Sequence, residues 1–180
     1  VKIIMTRADV FEGTGPSPGS VVRVKLGADK NGKLVAGEAY MAFEAGAYPG
    51  SPMACGVMCV FAVYEIPNGQ IDGYDVVVNK PRSFAYRAPC STQVAMATET
   101  VIDEIAEKLG MDGLQLRLKN VVKEGSRRVD GVVYPRIGAK ETLEAIKNSE
   151  HYKSKLKGPN RGRGISIGYW FNVGLKSAVT

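Results

Sequence analysis

The sequence is 180 residues long, which is enough for one domain with a sizeable buried core. Its 44% hydrophobic and 23% charged residues are proportions of a globular protein, and no apolar run approaches the ~20 residues of a membrane helix. The net charge of +6 is not accompanied by a recognition helix, an RNA-binding aromatic strand or zinc-finger spacing, so we expect no nucleic-acid partner and no membrane span. The three cysteines are an odd number, which favours a reducing cytoplasm over secretion.

Residues 1–80 are predicted to be mostly β-structure with one apolar buried segment. The opening VKIIMTR has the composition of a strand, and a segment rich in turn residues follows it. Two alternating runs on either side of Asn31-Gly32 predict a β-hairpin, because both of these residues favour a positive φ. A further strand is predicted between Gln70 and Asn79.

The buried segment runs from Tyr48 to Val63 and is apolar on all sides. Periodicity alone does not separate a buried helix from a buried strand in such a run. Met53, Val57 and Phe61 would share one helical face, which favours a helix.

The main helix is predicted from Thr92 to Leu109, where apolar residues recur with helical spacing along one stripe. Ser91 or Thr92 is expected to cap its start, since a hydroxyl can accept a hydrogen bond from a free amide of the first turn. Gly110 is expected to end it.

The predicted helical part spans residues 81–150 and contains two shorter helices. Asp112 is expected to cap the first of them, with capping-box spacing to Gln115, and the second covers Ala139 to Ser149. Residues 151–180 are interpreted as a basic linker followed by a closing strand, GISIGYWFNV. Because strands and helices do not alternate regularly, the fold class is α+β, a mixed sheet with about three to four helices.

Arg87 stands in a loop immediately before the main helix, beside Tyr86 and Ala88. An arginine at this place either pairs with a carboxylate of the same domain or faces a polar ligand. The first amides of the helix have no intrahelical partner, so the loop is a good place to hold an anion. For Glu99 we favour a salt bridge, on the helix surface or within the domain, over acid–base work.

No catalytic or metal-ligating residue is assigned. Cys55, Cys59 and Cys90 are interpreted as small buried hydrophobic residues, and a metal-binding module built from these three is the weakest alternative. His151 lies in a charged stretch and is interpreted as a surface residue.

The segment from Ser83 to Asn120 closely resembles the molybdenum-binding large subunit of the xanthine dehydrogenase/aldehyde oxidase family. In that family an AYR-A/G-x-G-x-x-Q loop precedes a helix with an internal Glu, followed by Asp-Pro and Leu-Arg-x-x-Asn. The corresponding positions are Ala85, Tyr86, Arg87, Ala88, Cys90, Gln93, Glu99, Asp112, Gly113, Leu116, Arg117 and Asn120. The resemblance extends to the opening VKIIMTRADVF and to the late GRGISIGYWF, so residues 1–180 are expected to be a part of the molybdenum cofactor-binding domain.

The resemblance implies a role in a molybdenum hydroxylase whose metal is held by molybdopterin, in its cytosine dinucleotide form. The expected cofactor-binding residues are Tyr86, Arg87, Ala88 and Gln93. The expected partners are the remainder of the large subunit, subunits or domains that carry iron–sulfur clusters and FAD, and a small-molecule substrate.

Departures from the family pattern restrict which substrates we expect and which parts of the site this chain contains. Animal xanthine oxidases have a substrate-orienting arginine near Cys55 and a phenylalanine at Pro89, and carbon monoxide dehydrogenases have a cysteine at Ala88. Purines and carbon monoxide are therefore disfavoured, and an aromatic heterocycle, an aldehyde or an aryl thioester is expected. The family's glycine-rich QGGFGGK segment and its glutamate base do not occur in this sequence, so the chain is expected to be an internal fragment that is inactive alone.

A hypothesis from a different class is a non-catalytic interaction domain that binds an acidic partner. Six basic residues near the C-terminal end motivate it, and a solvated linker is the simpler interpretation of the same stretch. These residues are Lys147, Lys153, Lys155, Lys157, Arg161 and Arg163.

Overall fold

The computed structural model describes residues 1–171, and the remainder of the predicted closing strand lies outside them. Three strands form one mixed sheet in the order β1-β2-β3: β1 (Ser20–Ala28), β2 (Leu34–Gly46) and β3 (Gly69–Val77). β1 and β2 are antiparallel, whereas β2 and β3 are parallel. The α+β class with a mixed sheet is therefore confirmed.

Six helices accompany the sheet within the described residues. They are α1 (Arg7–Gly13), α2 (Met53–Cys59), α3 (Ser91–Leu109), α4 (Gly113–Asn120), α5 (Ala139–Asn148) and α6 (Glu150–Lys153). The sequence analysis predicted three to four helices and missed the short helices α1 and α6. α3 packs against β1 and α2 packs against β3.

The core lies between the inner face of the sheet and the helices. Ala39, Met41 and Phe43 alternate along β2 and are fully buried, as expected for a strand with one covered face. Val94 and Ile102 of α3 belong to the same cluster. Burial of this apolar surface is the main force that holds α3 to the sheet.

The predicted hairpin is confirmed, although its turn depends on an aspartate. Gly32 adopts a left-handed conformation with φ +77°. The Asp29 carboxylate accepts hydrogen bonds from the amides of Asn31 (2.9 Å) and Lys33 (2.8 Å). This carboxylate-to-amide pattern stabilises the turn locally.

The opening strand prediction is wrong. Residues 1–6 form no regular structure, and α1 follows them. The Thr6 hydroxyl accepts from the Asp9 amide at 3.2 Å, while the Asp9 carboxylate accepts from the Thr6 amide at 2.9 Å. This reciprocal capping box starts α1 after the predicted strand, mainly in the segment whose composition had indicated turns. Ile3 is exposed, so no strand partner covers it among the described residues.

The apolar run from Tyr48 to Val63 forms a helix only between Met53 and Cys59. The preference for helix is confirmed in that part, and Val60 to Val63 continue as buried turns. A side chain at Gly73 of β3 would collide with Met53 and Val57, because α2 lies directly against that strand.

The start of α3 differs from the prediction, and its end agrees with it. Neither Ser91 nor Thr92 caps the helix, because Cys90 is the N-cap residue and makes no side-chain capping bond. The Ser91 hydroxyl donates to the Tyr169 carbonyl at 2.6 Å instead. Gly110 ends the helix with φ +61°, as predicted.

The short helices agree with the sequence patterns. Asp112 caps α4 by accepting from the Gln115 amide at 2.9 Å. Leu143 of α5 is fully buried, and Ile146 is partly buried. Within residues 164–171 the predicted closing strand is absent, although burial alternates along the segment, because no neighbouring strand pairs with it in the described part of the chain.

Gly110→Ala is expected to lower the free energy of unfolding by about 1 kcal/mol, since a Cβ disfavours the left-handed conformation. A Cβ at this position would meet no atom within 4 Å, so the effect isolates backbone conformation. Urea unfolding measures it. Gly162→Ala is the matched control, because a Cβ there also meets open space and its φ is not positive. Equal effects of the two substitutions would contradict the explanation.

The Glu65 carboxylate should contribute a pH-dependent part of the stability. It accepts from the Ser126 hydroxyl at 2.6 Å and pairs with Lys33 at 3.1 Å. Burial raises the pKa of Glu65, but the bonds from Ser126 and Lys33 outweigh it and lower the pKa below its ordinary value. Such a group stabilises the fold above its unfolded-state pKa, and this contribution is lost as the pH falls through its folded-state pKa.

Glu65→Gln is therefore expected to lower stability at pH 7 by up to about 1 kcal/mol, with the difference from the parent shrinking between roughly pH 5 and pH 3. Denaturant unfolding between pH 3 and pH 7 measures the stability of the variant and of the parent as a function of pH. The exposed Glu124→Gln serves as the control. A Glu65→Gln difference that stays constant with pH would refute the linkage.

Candidate functional site

The Arg87 loop, defined as residues 83–90, is held firmly at its start. The Ser83 amide donates to the Ala45 carbonyl at 2.9 Å, and the Ser83 hydroxyl donates to the Glu44 carbonyl at 2.7 Å. The Phe84 amide donates to the Pro16 carbonyl at 2.9 Å. These bonds fix the loop to the end of β2 and to the segment before β1.

The middle of the loop is open to solvent. Tyr86 is 71% exposed, and Arg87 is exposed as well. Within residues 1–171, the carboxylates that form ion pairs do so with other cations, and none pairs with Arg87. The sequence left two interpretations of Arg87: an ion pair with a carboxylate of the domain, or a contact with a polar ligand. The described residues provide no carboxylate partner for the first interpretation.

Two residues that carry side chains adopt left-handed conformations at the end of the loop. Ala88 has φ +51° and Cys90 has φ +59°. Non-glycine residues in this region are strained, and such strain concentrates at functional sites. The family pattern has glycine at the position of Cys90. Burial of Cys90 against Gly56 of α2 holds the strained conformation in place.

The first turn of α3 presents free backbone donors. The Ser91 amide bonds to the Ala88 carbonyl at 3.0 Å, but the amides of Thr92 and Gln93 have no intrahelical partner, because of their position in the helix. The first turn contains no acidic residue. An anion beside this turn would be favoured by both the amides and the helix dipole.

Gln93 contacts the turn-rich segment before β1, which the sequence patterns did not place at the site. Its side-chain amide donates to the Ser17 hydroxyl at 3.1 Å. A Cβ at Gly15 would collide with Phe84, so the turn-rich segment before β1 lies directly against the Arg87 loop. The sequence signals turns here, but it contains no signal that places Ser17 next to Gln93.

Glu99 lies on the buried side of α3 and is only 6% exposed. It pairs with the guanidinium of Arg117, which is completely buried, at 2.8 Å, and it accepts from the Tyr64 hydroxyl. It also accepts from the Ile167 amide at 2.9 Å. Burial and the adjacent Glu99 carboxylate raise the pKa of Tyr64. The salt bridge within the domain is thus confirmed, and the surface alternative for Glu99 is wrong.

Arg117 completes this buried cluster. Its guanidinium also contacts Asp103 at 2.8 Å and donates to the Gly113 carbonyl at 3.1 Å. Because Asp103 and Glu99 are on α3 whereas Arg117 is on α4, the two helices are joined by charge as well as by packing.

Residues 165–171 form an extended segment along α3. Ile167 and Tyr169 pack into the main core, and the residues that alternate with them are exposed. A surface cleft of about 460 Å³ lies along α3 beside this segment and is lined by Thr92, Met96 and Ser166, among others. Because Thr92 lies in the first turn of α3, the cleft extends from the helix start that follows the Arg87 loop.

The cysteines form no metal site in the described part of the chain. Burial raises the pKa of the Cys90 thiol to about 12 and also raises that of Cys59. No set of three metal-ligating side chains within residues 1–171 is arranged to hold an ion. The description of these residues as buried hydrophobic side chains is supported for Cys59 and Cys90, while Cys55 is partly exposed.

Residues 1–121 match the family described as the molybdopterin cofactor-binding domain. The chain belongs to this family. The matched region includes the Arg87 loop, α3 and α4. None of the described helices combines the length and the apolarity needed to cross a membrane.

Relatives of this chain are named as oxidoreductases. A probable xanthine dehydrogenase subunit from Bacillus subtilis is 31% identical over 175 residues, covering 93% of this chain and 23% of the relative. The nicotinate dehydrogenase large molybdopterin subunit of Eubacterium barkeri is 30% identical over 149 residues, covering 80% of this chain and 35% of the relative. The structure of the aldehyde oxidoreductase from Desulfovibrio gigas aligns with a TM-score of 0.72 at 29% identity, covering 77% of this chain and 16% of that one.

These findings confirm the predicted resemblance to the xanthine dehydrogenase/aldehyde oxidase family. The chain spans about a quarter to a third of the length of the two curated relatives. Of the predicted cofactor-binding residues, the structure brings Tyr86, Arg87 and Ala88 together in one exposed loop. Gln93 lies in the adjacent first helical turn, where its side chain contacts Ser17.

The donors of the Arg87 loop fit an anionic, oxygen-rich cofactor. The guanidinium of Arg87, the phenol of Tyr86 and the free amides of the first turn are all hydrogen-bond donors. Phosphate and pterin oxygens are acceptors, and a bidentate guanidinium binds phosphate well. The small side chain of Ala88 permits close approach to the backbone.

Glu99→Gln is expected to destabilise the protein by about 3 kcal/mol, because it removes the buried counter-charge of Arg117 and leaves only the exposed Asp103 carboxylate to pair with it. Glu144→Gln is the control, since Glu144 forms an exposed pair with Lys140 at 3.7 Å and should contribute at most about 0.5 kcal/mol. Denaturant unfolding distinguishes the two. Similar losses for both variants would show that the buried pair has no special role.

Proposed function

We propose that the Arg87 loop and the start of α3 form one wall of a molybdopterin site in a molybdenum hydroxylase. The observation that carries the proposal is an exposed arginine without a carboxylate partner in residues 1–171, on a loop shaped by two strained residues. A loop whose rear is anchored and whose front is open has the preorganisation that binding sites require.

Each predicted residue has a separate task in this proposal. Arg87 donates hydrogen bonds to anionic oxygen atoms of the cofactor, and Tyr86 adds a phenolic donor with an apolar ring. Ala88 lets the ligand approach the backbone. Gln93 positions the helix start through Ser17, and its backbone amide, which has no intrahelical partner, would donate to an anionic oxygen of the cofactor. Bound molybdopterin supplies the molybdenum at which oxidative hydroxylation takes place.

The proposed substrate is an aromatic heterocycle, an aldehyde or an aryl thioester. The names of relatives support the first two classes, because one is a nicotinate dehydrogenase and another is an aldehyde oxidoreductase. Pro89 and Cys55 stand where purine-oxidising relatives have substrate-binding residues, and Ala88 replaces the cysteine of carbon monoxide dehydrogenases.

The proposed holoenzyme contains further parts. The cofactor is proposed to be the cytosine dinucleotide form of molybdopterin, and iron–sulfur clusters and FAD are proposed on partner subunits or domains. The remainder of a large subunit would provide the other cofactor contacts and the catalytic base. The fraction of each relative that this chain matches supports this division.

Arg87→Ala is expected to reduce turnover in the assembled enzyme at least about tenfold, since a lost charge-assisted hydrogen bond corresponds to roughly 1.5–3 kcal/mol. Steady-state assays with nicotinate and benzaldehyde measure turnover, and metal analysis measures bound molybdenum. Arg127→Ala is the matched control, because Arg127 is also exposed but lies far along the chain. Unchanged turnover together with unchanged molybdenum content in Arg87→Ala would rule out the proposed contact.

A further inference from the structure

The connection between α6 and the extended segment is a basic loop, defined here as residues 154–163. It contains no regular secondary structure, and its cations Lys155, Lys157 and Arg161 are exposed. Lys153 at the end of α6 is exposed beside it. The molybdopterin site proposed above does not use these residues.

Arg163 closes this loop onto its own start. Its guanidinium donates to the Tyr152 carbonyl at 2.5 Å and to the Ser154 carbonyl at 2.9 Å, with a further 2.9 Å bond to the Ser154 hydroxyl. Compact loops with neighbouring ends are Ω-loops, which are frequently functional. Left-handed conformations at Gly158 (φ +91°) and Asn160 (φ +55°) define the tip of the loop.

The charge of the basic loop is uncompensated within the described residues. No aspartate or glutamate occurs between residues 153 and 163. Some exposed lysines elsewhere have carboxylate partners, such as Lys25 with Glu38 and Lys80 with Glu44. No ion pair involving Lys153, Lys155, Lys157 or Arg161 is found within residues 1–171. The anchored loop and the adjacent end of α6 thus present four cations to solvent.

An apolar side chain stands within this charge. Leu156 is 49% exposed and lies between Lys155 and Lys157. Protein interfaces combine an apolar anchor with a charged rim in this way. Single-stranded nucleic acids instead bind where aromatic side chains stack on bases, and residues 154–163 contain no aromatic residue. The ring of the adjacent Tyr152 lies under the Arg163 guanidinium, 6.0 Å from it.

We propose that the basic loop is a docking site for the acidic surface of a protein partner. The cations attract and orient the partner, and Leu156 packs against it after contact. Arg163 serves to hold the loop in shape. This role is independent of molybdopterin binding, and the two can coexist in one protein.

Poly-L-glutamate is a suitable acidic probe for the 180-residue chain, and titration at several NaCl concentrations measures its binding. The variant Lys155→Glu/Lys157→Glu/Arg161→Glu is expected to lose affinity about tenfold, because each exposed charge contact contributes a factor of about two to three. Its binding should also become less sensitive to salt.

The control Lys2→Glu/Lys30→Glu/Arg127→Glu removes three exposed cations elsewhere. Both variants have a formal net charge of 0, since +6 minus 6 is 0. The control should retain most of the affinity, and circular dichroism should show both variants folded. Equal losses in the two variants would overturn the proposal, because net charge alone would then explain binding.

Two further measurements test whether binding depends on the shape of the basic loop and whether the partner is a protein. Arg163→Lys keeps the charge but loses the planar fork, so it should weaken binding about threefold and speed amide exchange in residues 154–162. Tighter binding of a single-stranded oligonucleotide or of phosphatidylserine vesicles than of poly-L-glutamate, lost in the loop variant, would overturn the protein partner in favour of that ligand.

Discussion

The buried ion pair between Glu99 and Arg117 is the interaction on which the rest of the structure depends. It joins α3 to α4, and Glu99 also binds the Tyr64 hydroxyl and the Ile167 amide. Two charges removed from water are tolerated when further hydrogen bonds satisfy them, so each partner must occupy its place. The direction of α3 follows from this cluster, and the Arg87 loop leads directly into α3.

The functional loop combines a fixed rear with an open front. Ser83 and Phe84 tie one end to the sheet side, and buried Cys90 holds the other end in a strained conformation. Between these anchors the side chains of Tyr86 and Arg87 meet solvent. The energy of folding therefore maintains a backbone shape that an isolated loop would not adopt, which reduces the entropy lost on binding a ligand.

Local patterns predicted the elements whose causes are local. The stripe of α3, the glycine after it and the Asn-Gly turn all depend on neighbouring residues, and all three predictions agree with the structure. The opening strand prediction failed because residues 1–6 pair with no strand of the described sheet, so their apolar composition was not enough to form one. The N-cap position of Cys90 and the contact of Ser17 were missed for another reason: they depend on Gly56 and Gln93, which are distant in sequence. Burial of Glu99 likewise required knowledge of partners outside α3.

The distance in sequence between Glu99 and its partners also constrains the order of folding during synthesis. Arg117 follows Glu99 by 18 residues, and Ile167 follows it by 68. At a translation rate of about 5–20 residues per second, Glu99 is synthesised roughly 3 to 14 seconds before its full set of partners exists. We expect the nascent α3 to keep its carboxylate hydrated during this interval. The sheet can therefore collapse early, while the final seating of the helix, and with it the shape of the Arg87 loop, waits for residues made much later.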